Sequence, residues 1–195
     1  MTTIYKCCHG RTIRPGKSWT DENGVTHPAS WHTYSAAQKA ALGITEIVQQ
    51  PHPDSRLYTW SYNEDGSVSS TAKPLNDTPM VDEAGIPVID PITLKQLSTP
   101  GVKSTLIAEV KAQQGALLAQ SDWAIVRKAD TGTDVPANIS TWRAAIRTKA
   151  TEMETAISDA ADTNAIAALF VRYTQDDVGS IIKSGILYDW PELDE

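Results

Sequence analysis

The spacing of apolar positions divides the chain into two parts with different periods. Up to about residue 90, short runs of alternating apolar and polar residues are separated by turn sequences, which is typical of strands. From about Thr93 onward, apolar residues recur every three or four positions, which is the period of an amphipathic helix. The pattern therefore predicts an α+β protein with a β-rich first part and a helical second part.

One short helix and one strand are predicted within the first part. Ser35 followed by Gln38 is a capping-box pair, and Gly43 has the position of a C-terminal cap. The β-branched run from Thr45 to Val48 ends shortly before Pro51 and predicts a strand.

A hairpin is predicted around the turn sequence NEDG at residues 63–66. Tyr58, Trp60 and Tyr62 alternate with smaller residues before this turn, and residues 67–73 follow it as the return strand. Alternate residues of a strand point to the same face. The three aromatic rings are therefore expected to form one face of the hairpin.

A proline-rich stretch separates the two parts. Residues 74–92 contain four prolines, and Pro100 follows just beyond. Proline lacks a backbone N–H group, so this stretch is excluded from regular helix and is a poor strand. It is predicted to be an extended linker or arm. The predicted divisions are a β-rich N-terminal domain (1–73), this linker, a helical domain (93–175) and a C-terminal extension (176–195).

Four helices are predicted in the second part. The first runs from about Lys103 to Gln120, and a short second helix is capped by Ser121 and ended by Gly132. Pro136 opens the third helix and Thr163 starts the last. The third helix has one apolar stripe, formed by Trp142, Ala145, Ile146, Met153, Ala156 and Ile157.

The residues between the first two of these helices are expected to form a corner. Ser121 and Asp122 have the chemistry of helix caps, and Trp123 is expected to fill the angle between the two helices. Arg127 and Lys128 are expected to be solvated near the end of the second helix.

Composition and charge exclude several classes of partner. The net charge is −7 with a pI near 5.1, so the chain has no general attraction to nucleic acid or to anionic lipid. The apolar runs are too short to span a bilayer, and the start MTTIYKCCHG has no signal-peptide core. We expect no nucleic-acid or membrane partner and a protein that stays where it is made.

Metal-binding candidates are weak. Cys7, Cys8 and His9 are adjacent, but neighbouring cysteines cannot easily bind one metal and no second cysteine pair completes a zinc set. The turns DENG and NEDG resemble the start of a calcium loop, yet the twelfth positions hold His32 and Pro74 instead of Glu. His27 and His52 each precede a proline, as loop residues do. No metal or cofactor is therefore predicted.

Catalytic motifs are also missing from the sequence. It contains no GxSxG, Walker loop, HExxH or dinucleotide fingerprint. Asp176 and Asp177 are a pair of carboxylates, but neighbours in sequence cannot flank a glycosidic bond from both sides. No catalytic residue is predicted, and the chain is interpreted as a non-enzyme.

Several motifs resemble bacteriophage tail-fibre assembly and tail-accessory proteins. In the helical part these are ALLAQSDW (116–123), VRKADTGTDVP (126–136) and STWRAAIRTKATEMETAI (140–157). In the first part they are DENGVTHPASW (21–31), AALGI (40–44) and RLYTWSYNEDG (56–66). In that family the Asp-Trp run is followed by a helix with an aromatic-Arg-x-x-Ile-Arg pattern, which Trp142, Arg143, Ile146 and Arg147 match here. Together the two matching regions cover most of the chain. The order and the spacing of the motifs also carry the resemblance.

This resemblance implies a tailed-phage protein without catalytic activity. The expected function is a virion structural component that binds the tail fibre or its attachment site, with tail-fibre or baseplate proteins as partners in a multi-subunit assembly. The expected location is the tail of the virion, after assembly in the host bacterial cytoplasm. The alternative is a transient tail-fibre chaperone that is absent from the mature virion. The chain departs from the family in continuing beyond Phe170, and this extension either docks on a partner or folds back on its own helices.

Large aromatic residues are the predicted contact residues, because truncating such side chains at the centre of an interface typically costs about 2 kcal/mol or more. They are Trp31, Tyr58, Trp60, Tyr62, Tyr188 and Trp190. A third hypothesis is a carbohydrate-binding module in which Tyr58, Trp60 and Tyr62 stack on sugars.

Overall fold

The computed structural model describes residues 2–7, 10–175 and 179–193. The chain divides into two compact units, Met1–Ala72 and Lys73–Glu195. Small antiparallel sheets account for the strands of both units, and all but one of the α-helices belong to the second unit. The predicted α+β class is confirmed.

Unit 1 is built from short strands around one helix. Its elements are β1 (Thr2–Lys6), β2 (Thr12–Ile13), β3 (Trp19–Thr20), β4 (Thr26–His27), a 3-10 helix (Ala29–Thr33), α1 (Ala36–Ala41), β5 (Thr45–Gln49), β6 (Tyr58–Tyr62) and β7 (Val68–Ala72). β1 is the centre of a three-stranded sheet with the order β2-β1-β5, while β3 pairs with β4 and β6 with β7.

Buried side chains from several of these elements form the core of unit 1. They are Cys7, Ile13, Trp19, Trp31 and Ile44, with Tyr5, Tyr34 and Leu42 packed around them. Cys7 is buried just after the end of β1, and its Sγ donates to the carbonyl oxygen of Arg11 at 3.4 Å. Cys8 and His9, the rest of that sequence cluster, lie outside the described residues.

Local sequence signals in unit 1 have the predicted outcome. The capping box between Ser35 and Gln38 is present at the start of α1. β6 and β7 form the predicted hairpin, with Trp60 opposite Ser70. The turn of the hairpin packs on β5, because a Cβ atom added to Gly66 would lie 2.6 Å from the side chain of Ile47. Gly66 also has a φ of +85°, so both space and backbone conformation require glycine there.

Unit 2 is mainly helical. Its elements are β8 (Thr78–Pro79), β9 (Ser98–Thr99), α2 (Val102–Ala119), α3 (Asp122–Thr131), α4 (Ala137–Asp159), α5 (Thr163–Leu169), β10 (Arg172–Gln175) and β11 (Ile181–Ser184). α2 and α4 pack together along their length. The buried apolar residues are Val102, Leu106, Val110, Ala124, Ile139, Trp142, Ile146, Ala150, Met153, Ile157, Ala160, Ile166, Phe170 and Leu187.

The corner between α2 and α3 differs from its prediction in two respects. Ser121 precedes α3, but its side chain makes no capping hydrogen bond and its hydroxyl instead donates to the carbonyl of Leu118 at 3.1 Å. Trp123 was expected to fill the angle between the helices, but 53% of its surface is exposed. Ala124 is fully buried at this point instead. The ring of Trp123 packs against a side chain of its own helix, since the Cζ of Arg127 lies 5.0 Å from the ring centroid.

The proline-rich segment is folded rather than extended. β8 pairs with β9, and single bridges join Val81 to Pro87 and Ile89 to Gln96. Residues 78–99 therefore form a folded loop. Its two ends are paired with each other next to the start of α2. This segment, called the arm below, belongs to unit 2.

The C-terminal segment folds back on the helices of unit 2. β10 and β11 form a hairpin, and the chain then returns so that the N–H groups of Ile186 and Leu187 both donate to the carbonyl of Leu169 at 2.8 Å. Leu187 is fully buried. Of the two predictions for the extension, folding back is the one that the structure has. Asp176 and Asp177 lie outside the described residues.

Candidate protein-docking surfaces

Trp31 is a core residue, and its prediction as a contact residue is corrected. Its surface is 0% exposed, and its indole N–H donates to the carbonyl of Lys17 at 2.8 Å. The ring also makes an edge contact with Tyr5, with 5.1 Å between centroids. A side chain with no accessible surface has nothing to offer a partner in this conformation.

Tyr58, Trp60 and Tyr62 share one face of β6, as predicted, and all three are half-buried. Trp60 and Tyr62 meet edge to face, with 5.4 Å between their ring centroids. Trp60 is also stacked on His52 at 4.1 Å. His52 therefore belongs to this aromatic row, although sequence reasoning assigned it only to a loop.

Tyr188 and Trp190 are half-buried residues that hold the C-terminal segment on α2. The Tyr188 hydroxyl donates to the Glu109 carboxylate at 2.5 Å, and the Trp190 indole donates to the Gln113 side chain at 2.7 Å. Both rings thus have a structural role within unit 2 and keep part of their surface accessible.

The arm carries a further group of exposed apolar side chains, none of them among the contact residues predicted from the sequence. Seven large apolar side chains are exposed within 18 residues. They are Met80, Val81, Ile86, Ile89, Ile92, Leu94 and Leu97. The periodicity of 2 or 3.6 that identifies buried faces is not present in this proline-rich stretch, so no pattern indicated these side chains. Contiguous exposed apolar surface usually marks a site of protein association.

The arm has a defined backbone. Three hydrogen bonds connect its three extended segments in a ring: Met80 N–H donates to Leu97 O at 2.8 Å, Leu97 N–H to Val88 O at 2.8 Å, and Val88 N–H to Met80 O at 3.0 Å. Because every segment donates to one neighbour and accepts from the other, the segments hold each other in place without a long strand ladder.

The base of the arm is clamped to the first turn of α2. The N–H groups of Val102 and Lys103 donate to the carbonyls of Pro74 and Leu75, at 2.9 and 3.0 Å. The Asp77 carboxylate accepts from Gly101 N–H at 2.9 Å. Hydrogen bonds from the Ser104 hydroxyl and from Gly101 N–H hold the pKa of Asp77 below its usual value.

The tip of the arm presents two apolar side chains. Ile92 is 90% exposed and Leu94 is 77% exposed. The Asp90 carboxylate organises this turn by accepting from the N–H groups of Ile92 at 2.7 Å and Thr93 at 3.0 Å. The bonds from Thr93 and Ile92 also lower the pKa of Asp90. Leu94 has a φ of +55°, a left-handed conformation that is unfavourable for a residue with a Cβ atom.

The arm has a net negative charge. It carries Asp82, Glu83 and Asp90 against a single basic residue, Lys95. The arm therefore combines exposed apolar side chains with a net negative charge.

Comparison of the chain with protein-family models, with curated proteins and with solved structures finds no match. Among the residues that the structure describes, no three His, Cys, Asp or Glu side chains gather as a metal site would require. Within the same residues, no helix combines the length and the apolar character needed to cross a membrane.

Proposed function

We propose that this chain is a non-enzymatic bacteriophage tail protein that binds the tail fibre or its attachment site as a structural component of the virion. The phage assignment rests on the sequence resemblance. The observation that carries a binding role is the arm, whose apolar side chains are exposed on a backbone that is clamped at its base.

A clamped arm is suited to binding because little conformational freedom remains to be lost. Ordering a flexible segment on association costs free energy that must be subtracted from the contacts it makes. The ring of hydrogen bonds and the Asp90 turn have already fixed the backbone that presents Ile92 and Leu94. The occupant that this surface fits is an apolar depression on the fibre protein with basic residues at its edge, opposite Asp82, Glu83 and Asp90.

The test is the protein content of purified phage particles. Mass spectrometry is expected to find the chain in a fixed ratio to the fibre protein. The double variant Ile92→Ser/Leu94→Ser is expected to be depleted from particles by about tenfold or more, as for loss of an interface hot spot. The matched control is Ile125→Ser/Val126→Ser, which removes two exposed apolar side chains from α3 of the same unit.

Two outcomes separate the alternatives. If the wild-type chain is absent from mature particles but co-expression with it is required for soluble fibre, the chaperone function replaces the structural one. If particles lack the chain and fibre solubility does not depend on it, the tail assignment itself is wrong.

A further inference from the structure

The C-terminal segment, the β10–β11 hairpin and the end of α2 line an open cleft. Its volume is about 530 Å³, which is within the range of small-molecule sites. Four of its eleven lining residues are Trp or Tyr, in a chain with 7% aromatic residues. They are Trp142, Tyr173, Tyr188 and Trp190. Aromatic side chains are therefore concentrated at this place.

The polar atoms of three of these rings are already bound within the protein. Trp142 donates to the carbonyl of Pro191 at 2.9 Å, while Tyr188 and Trp190 donate to side chains of α2. Tyr188 and Trp190 are half-buried and present apolar ring surface to a ligand, whereas Trp142 is only 6% exposed. Tyr173 is 68% exposed on β10 and adds a ring at the open side of the cleft.

The charged groups on the cleft wall are one lysine and two carboxylates, namely Lys183, Asp189 and Glu192. Lys183 and Asp189 form an ion pair, and the hydrogen bond from Lys183 to Asp189 raises the pKa of the lysine, which stays charged at neutral pH. The side chains of Gln120 and Glu192 also line the cleft and are exposed. The wall therefore offers hydrogen-bond donors and acceptors but no large net charge that would attract an ionic ligand.

We propose that this cleft binds a pyranose ring of a neutral oligosaccharide. A sugar ring has an apolar C–H face that packs on an aromatic ring and a rim of hydroxyl groups that are both donors and acceptors. The cleft provides the complementary set, with aromatic surface from Tyr173, Tyr188 and Trp190 and hydrogen-bonding groups from Gln120 and Glu192. This proposal is independent of the proposed tail function and of the arm.

An extended proline-rich peptide fits the cleft less well. Such peptides also dock in aromatic grooves, but their backbone carbonyls need donors. Both indole N–H groups at the cleft are occupied by Pro191 and Gln113. The balanced pair of Lys183 and Asp189 likewise gives no preference for a charged ligand.

The experiment is a titration of the full chain with three neutral pentasaccharides, namely maltopentaose, cellopentaose and N-acetylchitopentaose. Tryptophan fluorescence and calorimetry are expected to show saturable binding of at least one of them. Tyr173→Ala is expected to weaken that binding by about tenfold, since stacking partners count among the strongest contacts of a site. Gln120→Ala, an exposed position near the end of α2, is expected to weaken it by about threefold or more through loss of a hydrogen bond.

The control variant is Trp60→Ala, which removes an aromatic ring from unit 1. It is expected to leave binding unchanged. Binding that is lost in Trp60→Ala but kept in Tyr173→Ala would place the sugar on the β6 hairpin and overturn the proposal. Binding of a decaproline peptide in place of the sugars, or no binding of any of the three pentasaccharides, would overturn it as well.

Discussion

The guanidinium of Arg143 on α4 donates to the carboxylate of Asp122 at 2.9 Å, across the corner between α2 and α3. The same nitrogen lies 2.7 Å from the carbonyl of Leu118 and 2.7 Å from the hydroxyl of Ser121. Arg143 is only 8% exposed, whereas the side chain of Asp122 is 57% exposed. One buried cation thus binds the end of α2 and the start of α3 to the longest helix.

Arg143→Met is expected to lower the free energy of unfolding of unit 2 by about 2–4 kcal/mol. The carbonyl of Leu118 and the hydroxyl of Ser121 lose a charged donor in a buried place. Asp122→Asn is expected to cost less than about 1 kcal/mol, because solvent screens this carboxylate. Guanidinium chloride unfolding measures both. The control is Arg147→Met on the exposed side of the same helix, and equal losses for the two arginine variants would contradict the role of Arg143.

Replacing Gly101, just before α2, or Gly115, within α2, by alanine is expected to change the stability of unit 2 in opposite directions. A Cβ atom at Gly101 would lie 2.5 Å from the backbone of Asn76, so Gly101→Ala must displace the base of the arm. We expect a loss of about 1–3 kcal/mol, as for overpacking. Gly115 is exposed inside α2 with nothing within 4 Å, and Gly115→Ala is expected to stabilise by about 0.5–1 kcal/mol. Thermal unfolding of both variants checks this, and a shift of the same sign in both would refute the clamp.

Features with a local cause were predictable from the sequence. The capping box at Ser35 and the end of α3 at Gly132, which has a φ of +73°, depend on residues within one helical turn. The face formed by Tyr58, Trp60 and Tyr62 follows from the period of a strand.

Features with a distant cause were not predictable. Trp31 is buried because its indole meets the Lys17 carbonyl and the ring of Tyr5, and nothing close to Trp31 in sequence indicates either contact. The arm closes through bonds among Met80, Val88 and Leu97, which a local pattern with many prolines does not indicate. The prediction of Trp31 as a contact residue is therefore wrong, and no local pattern indicated the exposed aliphatic residues of the arm.

Trp31 and Trp123 are expected to differ in their contribution to stability. Trp31→Ala creates a cavity in the core of unit 1 and is expected to cost about 3–5 kcal/mol. Trp123→Ala removes a ring that is 53% exposed and is expected to cost less than about 1 kcal/mol. Urea unfolding, followed through the amide NMR signals of each unit, measures the two losses of stability. A small loss for Trp31→Ala would return this residue to the set of candidate contacts.

The stability of unit 1 is expected to fall in acid through Asp21. Its carboxylate is bound by the His27 ring at 3.0 Å and by the N–H groups of Val25 and Asn23, both at 2.9 Å, and these bonds lower its pKa. A lowered pKa in the folded state means that the contribution is present above the unfolded pKa of about 4 and is lost as the pH falls through the folded value.

Asp21→Asn is the variant that tests this contribution. Its urea midpoint is expected to lie below that of the wild type at pH 6, and the difference is expected to shrink between pH 4 and pH 2 (both roughly placed from the ordinary pKa of Asp). The control is Glu64→Gln, an exposed carboxyl in the turn of the other hairpin. A difference between Asp21→Asn and wild type that is constant with pH would show that the carboxylate charge is not its cause.

Leu94→Gly is expected to separate stability from binding at the tip of the arm. Leu94 has a φ of +55° and a side chain that is 77% exposed, so glycine removes backbone strain and little packing. The relief of roughly 1–2 kcal/mol exceeds or balances the roughly 0.5–1 kcal/mol of chain entropy that glycine adds. Unit 2 is therefore expected to be as stable as the wild type or up to about 1 kcal/mol more stable.

The matched control is Leu97→Gly. In the wild-type structure Leu97 donates its N–H to the carbonyl of Val88, and its backbone is not in the left-handed region. There glycine is expected to cost about 1 kcal/mol. If the proposed function is correct, Leu94→Gly also lowers the amount of the chain in purified particles, although its fold is intact. Equal destabilisation by Leu94→Gly and Leu97→Gly in chemical unfolding would mean that Leu94 packs within the arm. If Leu94→Gly is stable and is incorporated into particles at the wild-type level, the exposed Leu94 side chain is not needed for binding. Another surface would then bind the fibre.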